Sequence, residues 1–307
     1  MGALLALASA LSYGLSDFVG GLLSRHASFV RVSLFGQIGG LLSMLLAAAL
    51  VSRTVPPVAE LTWGGLSGVG TGVGMMFLFR GISRGAMSVV VPVSAVGGVV
   101  LPVLVGTALL GDRPAPLAWL GIAVAVPALW SVSQARATAA APAGAALTDG
   151  LVSSMGIAVQ YLALAQAGPE GGLWPVAAGR VTSVITVLGL ATVPAASGPW
   201  RAVSDRATSD RATSGRATSG RFTSDTGAGP WWQRLGGGFA GVLAGVALVC
   251  YLAATRTESV AVAVVLSSLY PVIPVLLGVT VLGERLSWRQ IAGLVGALAA
   301  SVLISTA

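Results

Sequence analysis

The chain has 307 residues, of which 55% are hydrophobic and 9% charged, and its formal net charge is +7. A soluble domain carries about 25% charged residues, so this composition excludes a water-facing shell closed around an apolar core. The basic residues are all arginine and are not gathered on one segment, which excludes the concentrated basic face that a nucleic-acid partner needs.

A helix that crosses roughly 30 Å of hydrocarbon needs about 20 mostly apolar residues. Stretches of that kind are predicted near 2–22, 32–51, 62–79, 86–110, 116–134, 150–168, 173–194, 235–254, 259–282 and 289–306. The first, MGALLALASALSYGLSDF, lacks a basic leader and is followed by further apolar runs, so it reads as a spanning helix rather than a cleaved signal. It carries Tyr13 and, about two-thirds along, Asp17; His26 follows in a solvated position. Span two carries Gln37. Span three repeats glycine every fourth residue at Gly64, Gly68 and Gly72, one helix face on which backbones can approach closely.

A short connector, Arg80 to Gly85, leads into span four, which contains Pro92, Ser94 and Pro102. After span five, RATAAAPAGAALTD at 136–149 reads as a linker. Spans six and seven hold Gln160, Tyr161 and Arg180. Between them and span eight lies an insertion, 196–232, whose repeated RATS-type pentads offer nothing apolar to bury and are expected to be disordered. Span eight repeats the glycine spacing at Gly237, Gly241 and Gly245, and includes Tyr251 and the single cysteine, Cys250, which rules out an intrachain disulfide. Span nine carries Tyr270, Pro271 and Pro274 and ends in Gly283, Glu284 and Arg285. The tryptophans Trp63, Trp119, Trp200, Trp231, Trp232 and Trp288 fall near predicted helix ends, as interfacial anchors do.

The chain repeats itself. Sliding it by 172 residues sets Pro102, Gly106, Gly111, Asp112 and Arg113 on Pro274, Gly278, Gly283, Glu284 and Arg285; sliding by 143 sets Gly36 on Gly179 and Gln37 opposite Arg180. Each half then supplies five crossings. An odd number inverts the second copy relative to the first, the plan of many secondary transporters. The expected fold is therefore an all-α polytopic membrane protein of ten transmembrane helices in two inverted five-helix repeats, at 1–135 and 150–307.

Two halves that each end in P-x-x-x-G-x-x-x-L-G-[DE]-R, followed by a glycine-containing last helix, resemble the EamA-type transporters of the drug/metabolite transporter superfamily. The second-half copy, YPVIPVLLGVTVLGERLSWRQIAGLVGALA, carries the resemblance most specifically. It implies a multi-pass protein of the cell membrane that moves amino acids, metabolites or drug-like compounds, often outward, with both termini cytoplasmic. Arginine counts in the short connectors instead favour termini on the outside.

Ionisable groups within a span are costly, about 2.5 to 3.5 kcal/mol each at a helix centre. Asp17 and Arg180 are accordingly expected to face an interhelical cavity, with Gln37 and Gln160 as neutral counterparts, or to pair with each other. Tyr13, Tyr161, Tyr251, Tyr270 and Ser94 are the further cavity candidates for binding a solute or coupling a proton. Pro92, Pro102, Pro271 and Pro274 are candidate hinges, since an interior proline bends its helix. Glu284 and Arg285 are candidates for a structural or gating role at a helix boundary.

No cofactor and no metal site is expected. Without lysine no Walker-type phosphate loop exists, so direct ATP drive through that motif is excluded. The leading reading is a secondary transporter that binds a small organic solute within the bilayer. A non-transporting membrane receptor or scaffold is the alternative. An intramembrane enzyme is disfavoured, because one loop histidine and one cysteine provide no catalytic set.

Overall fold

The computed structural model describes residues 1–51, 56–84, 87–110, 115–133, 143–192, 231–257, 266–267, 269–284 and 286–306. Among these the chain is helical and has no strand. In chain order the helices are α1 Gly2–His26, α2 Phe29–Val51, α3 Val58–Arg84, α4 Met87–Val105, α5 Pro116–Ser133, α6 Ala143–Ala165, α7 Trp174–Thr192, α8 Trp231–Thr257, α9 Val272–Thr280 and α10 Trp288–Ser305. A π-helical turn, Gly106–Leu110, prolongs α4, and a 3-10 turn, Pro169–Gly171, precedes α7. The insertion up to residue 230, with Trp200, the tripeptide Gly111 to Arg113 and Arg285 lie outside the described residues, while the insertion's last two residues, Trp231 and Trp232, begin α8.

Among the described residues six helices are long and apolar enough to cross a membrane: α1, α2, α4 with its π turn, α6, α7 and α8. Their outer faces need lipid: Leu42, Leu46 and Leu50, four residues apart on α2, are 62 to 73% exposed, and an apolar stripe of that kind is not left against water. Trp63, Trp119, Trp231, Trp232 and Trp288 stand exposed near helix starts, where amphipathic rings sit at the bilayer surface.

Two differences from the sequence reading matter for the site. The stretch read as a connector, Arg80 to Gly85, contributes its first five residues to α3, and α6 begins at Ala143, ahead of the expected 150. Ion pairing inside the bundle, described below, allows both helices to continue through charged residues. Span nine is also not one bent helix over its described part. Pro271 is the N-cap of α9 and Pro274 lies in its first turn, positions where a missing N–H breaks no intrahelical bond.

Helix partners are set by glycine. α3 packs on α6 and α7, α8 packs on α1 and α2, and further contacts join α5 to α10, α4 to α6, and α2 to α7. A side chain at Gly64 would strike the Pro175 carbonyl, and one at Gly68 the Gly179 carbonyl and the Thr182 hydroxyl. On α8, a side chain at Gly241 would strike the Gly36 carbonyl and one at Gly245 the Ser43 hydroxyl. Hydrophobic exclusion gives helices in lipid no reason to associate, so this backbone-to-backbone van der Waals contact and the hydrogen bonds crossing it hold the bundle. Thr182 donates to the Gly65 carbonyl at 2.6 Å, Ser153 to Gly74 at 2.8 Å and Ser16 to Ala240 at 2.7 Å. Gly68→Leu should destabilise the detergent-solubilised protein by about 1 to 3 kcal/mol, the usual range for overpacking, measured by thermal unfolding. Gly65→Ala, with only the Thr182 methyl at 3.5 Å, should leave it unchanged.

Candidate functional site

Asp17 lies on the third turn from the C-terminal end of α1, on the face that packs against α8 through Ser16. It is 6% exposed and has neither a hydrogen bond nor an ion pair among the described residues. Its oxygens are nevertheless absent from the fully occluded, unbonded polar atoms of the bundle. The carboxylate therefore borders open space between helices rather than packed side chains.

Three of the four tyrosines, Tyr13, Tyr161 and Tyr270, lie within electrostatic reach of Asp17. Tyr13 is one turn before Asp17 on α1, and its ring stands 5.9 Å from that of Tyr270, centroid to centroid, in a tilted arrangement. The close approach that brings them together is made at Gly14, where any side chain would meet the Tyr270 carbonyl and Ile273. The charge of Asp17 reaches the hydroxyls of Tyr13, Tyr161 and Tyr270, and Tyr161 is in turn within electrostatic reach of Tyr13 and Tyr251. Tyr161 is 47% exposed.

Arg180 belongs to a neighbouring network. From the middle of α7 it donates through Nη1 to Gln37 Oε1 at 3.0 Å, and Ser183 donates to the same oxygen at 2.9 Å. Gly40 leaves room for the guanidinium, which a side chain there would meet at 3.3 Å. Arg180 is 8% exposed and its charge reaches Tyr13, but it forms no ion pair with Asp17. Gln160 packs by its backbone against Gly70 of α3. Ser94 donates to the Val91 carbonyl of its own helix at 2.9 Å and so is satisfied away from the tyrosines. Pro92 and Pro271 line a separate apolar hollow between α4, α9 and α10, together with Val96, Val275, Leu294 and Ser301. Pro102 sits half-buried one turn before the π turn.

One end of the bundle is locked by charge. Glu284 lies in the connector between α9 and α10, outside the helices. Its Oε1 accepts from the Met87 amide at 2.9 Å and its Oε2 from the Ser88 amide at 3.1 Å, which caps the N-terminus of α4. Arg25, at the end of α1, donates to the same carboxylate. The repeated motif places it: Gly283 adopts φ +67°, returning the Glu284 amide to the Gly278 carbonyl at 3.1 Å, and Gly278 has no side chain to obstruct the carboxylate. Burial pushes the Glu284 carboxyl up, but hydrogen bonds from Ser88, Arg25 and the Met87 amide outweigh it and hold the group below its ordinary value.

A second lock at this end escaped the sequence reading. Asp149, 1% exposed on α6, accepts from Arg80 Nε at 3.0 Å and Arg84 Nη1 at 2.9 Å, both on α3. The Arg80 guanidinium also lies 4.1 Å from the Phe77 ring centroid. The available signal was the four-residue spacing of Arg80 and Arg84, which puts both on one helix face. An apolar plug of Phe18, Phe79, Ile82, Met87 and Val90 fills the space beneath the two locks. At the opposite end, Glu60 is 8% exposed and lies against Gly168 and Gly171, with Oε2 unbonded. Gln233, four residues ahead of the α8 glycine series as Glu60 is ahead of the α3 series, likewise has a buried unbonded oxygen.

The profile described as the EamA-like transporter family matches residues 1–134 and 219–306. The chain belongs to this family. The matched residues take in α1 to α5 and α8 to α10, hence Asp17, three of the four tyrosines and both Gly-acid-Arg motifs. Membership makes this EamA-like protein a multi-pass membrane protein of a small-solute transporter family. A solved chain described as "Crystal structure of protein" superposes with a TM-score of 0.53 at 17% identity, covering 99% of this chain and 97% of that one; the likeness is one of fold. No curated protein matches the sequence.

Proposed function

We propose that this EamA-like protein is a secondary carrier of a small organic solute in the cell membrane, in which two five-helix halves of opposite orientation rock about the Asp17 site. The halves are α1 to α5 and α6 to α10, so that the second begins at Ala143 with α6. The observation that carries this reading is the unpaired, nearly buried Asp17 carboxyl group beside the Tyr13–Tyr270 pair. A charge kept within a span at a cost of about 2.5 to 3.5 kcal/mol is retained for an interaction that the resting protein does not itself supply.

The exchange of helix partners supports the inverted arrangement. The third helix of the first half packs on the first two of the second half, and the third of the second half packs on the first two of the first. Gln37 and Arg180, 143 residues apart, touch each other, as equivalent positions do at a pseudo-twofold axis. Alternating access needs one end closed while the other is open, and the Glu284 and Asp149 locks together with the Phe18 plug close one end. A proton is the coupling ion this site would take, carried by Asp17; the charged and titratable groups around it are Tyr13, Tyr161, Tyr251, Tyr270 and Arg180.

Solute flux in proteoliposomes, with and without a pH gradient, tests the proposal. Asp17→Asn should reduce gradient-driven flux at least tenfold, on the order expected for a transport-site charge, and should remove its dependence on the gradient. Intact, pH-dependent flux in that variant would exclude Asp17 from coupling. No flux with any solute class would favour a receptor.

A further inference from the structure

We propose that the Asp17 pocket binds an organic cation, an ammonium carried on an apolar or aromatic body, with Asp17 as its counter-ion and the tyrosine rings as its cage. The position of the pocket on the solute path rests on the transporter reading; the binding chemistry does not.

Four observations lead to this class. The carboxyl group has no partner among the described residues and is not fully occluded, so an occupant that brings a positive charge stabilises its ionised form. The neighbouring wall is aromatic: Tyr13, one turn before Asp17, stands beside Tyr270, and ring faces attract ammonium groups in proportion to how far water is excluded. A metal ion is a poor fit, because calcium or magnesium needs about six oxygen ligands. Among the described residues no group of three or more His, Cys, Asp or Glu side chains could hold one. Arg180 does not fill the cation's place, since its guanidinium is turned to Gln37 on the α2–α7 side.

The test is equilibrium dialysis of the full-length, detergent-solubilised protein against four probes of similar shape: phenethylammonium, the neutral phenethyl alcohol, the anion 3-phenylpropanoate and the zwitterion phenylalanine. Phenethylammonium should bind at least tenfold tighter than the alcohol, and the anion should not bind. Asp17→Asn should abolish that preference while the melting temperature stays level or rises, since a buried charge is removed. Asp17→Glu should retain the preference. Tyr13→Leu and Tyr270→Leu should each weaken phenethylammonium by about three- to tenfold, as loss of a cation–π partner does; they decide the matter if Asp17→Asn does not fold. Arg180→Gln should not weaken the cation's affinity, since it removes a positive charge whose field reaches Tyr13.

Equal binding of the alcohol and the ammonium, or a preference that survives in Asp17→Asn, would overturn the proposal. So would tighter binding of phenylalanine with dependence on Arg180, which would make the pocket a zwitterion site. Because binding is read in detergent, cation binding without flux in liposomes would sink the carrier reading and leave this one standing.

Discussion

Asp149→Ala is expected to remove about 3 to 5 kcal/mol of stability, the cost of breaking a buried ion pair and leaving its cations uncompensated. The Arg80 and Asp149 side chains are 3% and 1% exposed, and Asp149 serves Arg84 as well, so one deletion takes a carboxylate from two guanidinium groups near the end of α3. Thermal unfolding in detergent reads the loss. The signature of a buried pair is that the double variant Arg80→Met, Asp149→Leu should recover much of it, because an apolar replacement of both partners carries no desolvation penalty. A double variant as unstable as the single one would show that the α3–α6 contact depends on these charges in some other way.

Glu284→Ala should cost about 1.5 to 3 kcal/mol, the range for hydrogen bonds to a charged group, with a distinct pH dependence. The carboxylate is held below its ordinary value of 4.5 in the folded protein. Its contribution is therefore fully present above that value and is lost as the pH falls through the lower, folded value. The stability gap between wild type and Glu284→Ala should stay constant from pH 7 down to about 5 and close on further acidification. Melting curves across that range check it, and a gap that widens in acid would be the wrong sign for a stabilised carboxylate. Loss of the Arg25 contact and of the α4 cap also loosens the closed end, so single-cysteine labelling below the Phe18 plug should become faster in Glu284→Ala than in wild type.

Pairing also alters the orientation argument. Arg25, Arg80 and Arg84 counted toward an arginine-rich, cytoplasmic face on the assumption that they lie in loops. All three are engaged with carboxylates between helices. A charge neutralised within the bundle does not take part in positive-inside sorting as a loop charge does, so much of the disagreement between the arginine count and the family arrangement disappears.

How much of the site was legible depended on whether the signal was local. Asp17 and Arg180 stood out because each interrupts an apolar span, and the two glycine series stood out because a four-residue period means one helix face. The importance of Glu284 could be read from its repetition, but not its role as the cap of α4, whose first residue, Met87, is 197 residues away. The Arg80, Arg84 and Asp149 lock was taken for a connector and a linker, since charged residues at a span boundary look the same whether they enter water or enter each other. Ser94, a candidate by composition, turned out to bond its own helix.

By itself the sequence determined the class of protein, because hydrocarbon accepts only long apolar helices with satisfied backbones and this chain can write little else. It determined the internal repeat and the family for the same reason: both are patterns along the chain. What only the tertiary structure decided is which distant residues meet. Four tyrosines spread from position 13 to position 270 have no spacing rule that joins them. Tyr13 and Tyr270 come side by side because Gly14 lets α1 approach the backbone at Tyr270, and close packing in lipid is a property of pairs of surfaces that no single helix carries.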